Sequence, residues 1–411
     1  SCKIFANINR KGDFMNANTI LHYVDLRGDL LASQFPYNEI DALIFSELAY
    51  VYLDDIFNDT KPITLQQAFQ KYQQRNATLT PENLKKILVP SHELFEKMAH
   101  SPRYQNIQIL NYVNDVNKEL IKQFAALALL LEDGRIVIAY RGTDDSLIGW
   151  HEDFLMLCEK VVPAQESSVH FLEEIASQNI TSSLMHDLKN KFLAPSIWQR
   201  LKKHFQYRQH RPLWLVGHSK GGNLAIFAGC FCHQHIQDRI IQIDNFDGPG
   251  FQDEIIQSKA YQNMLPRIHS YIPHYSFFGI VLGHEENYTV VKSQETGMMQ
   301  HNAYSWQINA HHFECDELSY ESVQFAIKVI LFLEKLSYEE KHQFVEAMFS
   351  LFDNLNLYNF SDLSHISYKH IMNGIKEITL LKPKTRNMLL EVLHMLWLEA
   401  KKIKKSEAKR S

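Results

Sequence analysis

Apolar residues recur three and four apart over residues 18–52, where the run "EIDALIFSELAYVYL" predicts a helix opening at Pro36 or Asn38. Polarity rises over 53–105, with two amphipathic stretches near 65–75 and 81–98, so this segment reads as a helical insertion lying over a core. The pattern then changes period. The runs "FAALALLL" and "RIVIAYRG" flank Glu132-Asp133-Gly134, a hairpin signature. Farther on, strands alternate with helices. Leu213–Val216 leads into a helix from about Gly221; "RIIQIDNF" ends at Asp247-Gly248-Pro249-Gly250; "RIHSYIP" and "YTVVKS" follow. Continuously apolar strands need cover on both faces, which predicts an α/β fold with a mixed, mainly parallel sheet covered by helices.

From about Glu317 the spacing turns wholly helical, in "SVQFAIKVILFLEKL", "EEKHQFVEAMFSLFDNL" and "TRNMLLEVLHMLWLEAKKI". The expected organisation is a loose leader over 1–17, an α/β unit over 18–316, and a C-terminal helical appendage over 317–411. The basic end "KKIKKSEAKR" offers a peripheral membrane contact through an amphipathic helix. Packing of that helix on the α/β unit is the favoured alternative.

Composition narrows the class. With 45% hydrophobic and 12% aromatic residues in 411, the chain can bury a large core. A net charge of −5 gives no bias toward nucleic acid. Five scattered cysteines resemble reduced thiols, and no apolar run is long enough to span a membrane, so a cytoplasmic setting is expected. Cys230 and Cys232 sit two apart in a helical stretch and point to different sides, which argues against a metal site. No cofactor is expected.

The stretch "LWLVGHSKGGNL" carries the chemistry. A sharp strand-to-helix turn lifts its central side chain above the sheet edge, and small residues two before and two after avoid clashes. Gly217, Ser219 and Gly221 fill this nucleophile-elbow pattern. The following helix start aims free N–H groups at a developing negative charge, so the N–H of Lys220 is a candidate oxyanion donor. A serine needs a base, and the base is expected in a loop after the last core strand. His301, in "QETGMMQHNAYSW", leads; His284, His311, His312, His269 and His274 are alternatives. Thr143, at the strand end "YRGT", is a candidate second oxyanion donor.

The motifs "YRGTDDSLIGWHEDF", "VPAQ", "LVGHSKGGNLA", "NFDGPGF", "YIPHYSFFGIVL", "VVKS" and "QHNAYSW" occur in this order after "ILHYVDLRGDL". Over roughly residues 18–310 the chain thereby resembles a bacterial family of formerly unknown function related to the class 3, fungal-type lipases, within the α/β-hydrolase superfamily. The resemblance implies Ser219 as nucleophile, His301 as base, and Thr143 with Lys220 as the oxyanion hole. Asp153 matches a carboxylate that braces the Thr143 loop. The sequence departs from the lipases at Ser276, which stands where they carry the triad acid. Asp247, at a strand end beside glycines, is the first choice to replace it; a turn-capping role for Asp247, Glu285 or Glu286 as the acid, and a dyad helped by the Ser276 hydroxyl remain open. The expected function is hydrolysis of carboxylic, acyl-lipid-type esters through an acyl-enzyme, slower than in a true lipase. The alternative is a hydrolase-fold protein that binds an acyl ligand or a protein partner without turnover.

Overall fold

The computed structural model describes residues 18–57, 62–77, 89–177 and 211–355, with a few positions between 357 and 397. The leader 1–17, the stretch 81–88 and the basic end 401–410 lie outside the described residues. Eight strands form one sheet in chain order: β1 (Ile63–Thr64), β2 (Gln108–Asn117), β3 (Lys122–Leu130), β4 (Ile136–Tyr140), β5 (Leu213–His218), β6 (Ile240–Phe246), β7 (Ile268–Pro273) and β8 (Tyr288–Val291). The first four pair antiparallel, and β4 to β8 pair parallel. The sheet is therefore mixed and mainly parallel, with three antiparallel pairings and four parallel ones, in an α/β-hydrolase-type arrangement.

The longer helices are α1 (Ile20–Arg27), α2 (Glu39–Leu48), α3 (Leu65–Asn76), α4 (Val89–His100), α5 (Leu147–Leu155), α6 (Pro163–Ser177), α7 (Lys220–Phe231), α8 (Tyr320–Leu333) and α9 (Tyr338–Asn354). Asn38 starts α2, accepting from the N–H groups of Ile40 and Asp41 while Asp41 accepts from the Asn38 N–H. The two faces of the sheet follow the strand alternation. Val137, Ala139, Trp214 and Val216 pack with α1 to α4. Ile136, Ile138, Leu213 and Leu215 face α6 and α7.

Within 53–105 the described helices α3 and α4 pack on the sheet: Leu65, Phe69, Tyr72, Leu94 and Phe95 are buried in the same cluster as the strands, and β1 extends the sheet edge. The described C-terminal helices pack against the α/β unit. Val329, Phe332, Phe344 and Phe349, with Leu389, Val392 and Leu393, share one apolar cluster with Leu147 and Leu155 of α5. Glu159 anchors them further, accepting from Tyr338 Oη at 2.9 Å and lying 2.8 Å from His342 Nε2. No helix among the described residues is long and apolar enough to cross a membrane.

One buried carboxylate ties α5, β3, α6 and α7 together. Glu152 accepts from the N–H of Gln123 at 3.0 Å, the N–H of Ala164 at 2.8 Å and Lys220 Nζ at 3.0 Å. Both charged side chains are fully buried. A buried ion pair adds little net stability, but removing one partner leaves the other desolvated and uncompensated. Glu152→Ala is therefore expected to destabilise the fold by about 3–5 kcal/mol, read as a lowered thermal midpoint; a midpoint equal to wild type would contradict this role.

Candidate active site

Strand β5 runs straight into α7, and Ser219 sits at the junction with φ 57° and ψ −135°. A non-glycine residue holds a positive φ only where its surroundings over-determine it. Here the Ser219 N–H donates to the carbonyl of Phe246 on β6 at 2.8 Å, and its carbonyl accepts from Gly222 N at 2.9 Å. The turn is so tight that a Cβ on Gly217 would come within 2.1 Å of the Gly221 carbonyl group, and one on Gly221 within 2.1 Å of the Tyr140 carbonyl oxygen. The glycines are thus required by close backbone approach, as the spacing predicted.

The structure brings Ser219, His301 and Asp247 together. His301 Nε2 lies 2.9 Å from Ser219 Oγ, and His301 Nδ1 lies 2.6 Å from Asp247 Oδ2. With the carboxylate accepting at Nδ1–H, the Nε2 lone pair is free to accept from the serine hydroxyl. Burial holds the His301 pKa below its ordinary 6.5, and the charge of Asp247 only partly offsets this. Asp247 follows β6 and is itself left-handed at φ 53°, a conformation Asp tolerates better than most residues. Its N–H donates to Tyr271 O at 2.8 Å.

Ser276 has a defined place in this arrangement. Its Oγ donates to Asp247 Oδ1 at 2.5 Å, and the Gly279 N–H donates to the same oxygen at 3.1 Å. A Cβ at position 279 would meet that oxygen at 2.4 Å, so glycine is what lets the backbone reach the carboxylate. The loop after β7 thus supplies donors to an acid that follows the neighbouring strand β6.

On the opposite side of the elbow, Thr143 Oγ1 donates to Asp153 Oδ2 at 2.5 Å. Burial raises the Asp153 pKa to about 6 against the opposing pull of Lys220. The Lys220 ammonium is engaged with Glu152 and with the Gln123 carbonyl, so this residue presents its main chain, not its charge, to the serine. Burial works against that ammonium, but Glu152 and Asp153 outweigh it and raise its pKa.

The alternative base candidates lie elsewhere. His284 pairs with Glu286 at 2.9 Å, His312 lies 3.3 Å from Glu39, His274 lies 3.5 Å from Asp316, His311 packs edge-on to Phe35, and His269 is exposed. Glu286 accepts from Tyr261 and Ser270, and Glu285 from Gln262. Cys230 and Cys232 are buried thiols, and among the described residues no group of three His, Cys, Asp or Glu could hold a metal ion.

Sequence reasoning missed a second imidazole. The His218 ring lies 4.8 Å from that of His301 by centroids, tilted by 33°, and its Nε2 donates to the His301 carbonyl at 2.8 Å. Its Nδ1 lies 3.0 Å from the buried Glu47 and 3.3 Å from Tyr50 Oη. Burial lowers the His218 pKa, but Glu47 outweighs it and the net shift is upward. The pair ties α2 to the loop that carries His301. The only sequence signal for it was a histidine next to the serine.

Known proteins bear on this geometry in three ways. Among curated proteins, none matches the chain. Solved structures give distant likenesses: M37 lipase, at 16% identity and TM-score 0.34, covers 59% of this chain and 69% of its own. Lipase II from Rhizopus niveus, at 14% and 0.32, covers 64% and 93%; a fungal lipase, at 8% and 0.33, covers 69% and 87%. The Mbeg1-like family profile matches residues 98–350, more than half of the chain and inclusive of Thr143, Ser219, Lys220, Asp247, Ser276 and His301. The chain belongs to the Mbeg1-like family.

Proposed function

We propose that the protein is a serine hydrolase that cleaves carboxylic esters with an apolar acyl part through an acyl-enzyme intermediate. The observation that carries this reading is the continuous hydrogen-bond path from Ser219 Oγ through His301 to Asp247 at a strained elbow. Ser219 Oγ attacks the ester carbonyl carbon while His301 Nε2 takes its proton. The carbonyl oxygen, now negative, is stabilised by the N–H groups of Lys220 and Thr143 at the head of α7 and the end of β4. Collapse expels the alcohol, which takes the proton back from His301. Water then repeats the sequence and releases the acid. Asp247 holds the imidazole in the required tautomer and stabilises its charged form, and Ser276 and Gly279 hold Asp247. The substrate is a small-molecule or lipid ester.

A fluorophosphonate probe tests the nucleophile. Covalent labelling of wild type and none of Ser219→Ala is the expected result; absence of labelling of wild type would favour the alternative, a hydrolase-fold protein that binds an acyl ligand or partner without turnover. Asp247→Asn, with the geometry kept and the tautomer disturbed, is expected to lower kcat by roughly 10³–10⁴-fold on a p-nitrophenyl ester. Wild-type turnover in that variant would remove Asp247 from the mechanism. The base must be neutral to accept the serine proton, and burial lowers the His301 pKa. The acid limb of kcat/KM is therefore expected with its midpoint below 6.5, activity falling as pH drops through it; a midpoint above 6.5 would contradict the assignment.

A further inference from the structure

Two cavities border Ser219, and they differ in chemistry. One is lined by apolar and aromatic side chains, with Asp153, Ser219 and Lys220 as the polar exceptions. The other shares Trp150 and Phe278 with the first and adds Glu47, Tyr50, Ser91, His218, Asn302 and Tyr304 beside the serine. An ester carbonyl at Ser219 has two substituents to seat. The apolar cavity fits a hydrocarbon chain, whereas the hydroxyls and carboxylate of the second suit the alcohol side.

The apolar cavity is not built by the α/β unit alone. Phe325, Val329, Phe332 and Leu333 of α8, Phe344 of α9 and Val392 supply part of its lining. These residues are held firmly. Phe325 packs against Phe277 at 5.2 Å, Phe277 against Phe278 at 5.3 Å, and Phe278 against the His301 ring at 4.5 Å. On the far side, Phe349 of α9 stacks on His151 of α5 at 4.2 Å with the rings 7° apart. The wall is continuous with the packing that positions the base.

We propose that the helices after residue 317 form the outer wall of an acyl-chain pocket and set the length of chain that Ser219 accepts. The inference rests on the ester-hydrolase reading above and deepens it: the substrate class is an ester of a medium or long unbranched acyl chain. Each methylene seated against the wall strengthens transition-state binding roughly fourfold, and the gain stops where the chain meets the helices.

The direct test uses the wild-type full chain and two phosphonates that react with serine, one ethyl and one a long alkyl chain with a terminal diazirine. After both label Ser219, irradiation of the long probe is expected to cross-link it to peptides from 320–333, 338–354 or 389–393. Cross-links confined to the polar cleft at 47–50, 90–91 or 302–304, or labelling by the ethyl probe alone, would overturn the proposal. If neither probe labels Ser219, the hydrolase reading fails and the inference falls with it. In parallel, p-nitrophenyl esters of graded length are expected to show kcat/KM rising and then levelling off. Val329→Phe, which fills the cavity, is expected to lower the ratio of long-chain to acetyl kcat/KM at least tenfold. An unchanged ratio in a variant that still takes up the ethyl probe would equally overturn the proposal.

Discussion

The candidate site depends on one backbone constraint, the positive φ at Ser219. A serine does not hold this conformation by preference; neighbouring strands impose it. The β6 carbonyl of Phe246 captures the Ser219 N–H, and the glycines at 217 and 221 allow β5, α7 and β4 to approach within distances no Cβ would permit. The same turn that strains the chain lifts Oγ toward His301 and leaves the first N–H groups of α7 unpaired within the helix. Backbone strain, a hydroxyl lifted toward the imidazole and N–H groups left without helical partners are three consequences of one junction. Glu152 keeps that junction in register by holding the Lys220 ammonium beneath it.

The position of the acid has a physical explanation. An imidazole needs a carboxylate at Nδ1, and two adjacent loops can reach that point, one after β6 and one after β7. In this chain the carboxylate comes from the first, on a residue with a left-handed backbone, and the second contributes a hydroxyl and an N–H that hold it. Ser276 in place of an acid is thus compatible with a complete hydrogen-bond path.

What the sequence revealed follows how local each signal was. The elbow around Ser219 was legible because glycine spacing encodes close approach directly. His301 was legible from its position after the last strand. Asp247 could be named but not separated from a turn-capping carboxylate, because its backbone conformation and its Ser276 partner are tertiary facts. β2 escaped notice since "QILNYVNDVN" lies half-buried near the sheet edge, where polar and apolar residues mix without a strong period. The Glu47–His218 pair joins residues far apart in sequence. The C-terminal helices announced an apolar face, but periodicity names no partner for it, and here the partner includes the cavity beside Ser219.

The central claim is that Ser219 becomes acylated during turnover, and mass spectrometry of acid-quenched protein tests it most directly. Mixed with excess p-nitrophenyl ester and quenched within the steady state, the protein should carry one acyl mass increment on the peptide containing Ser219, and none in Ser219→Ala. Release of p-nitrophenol with an acyl adduct on another residue, or product formation that persists in Ser219→Ala, would contradict the account.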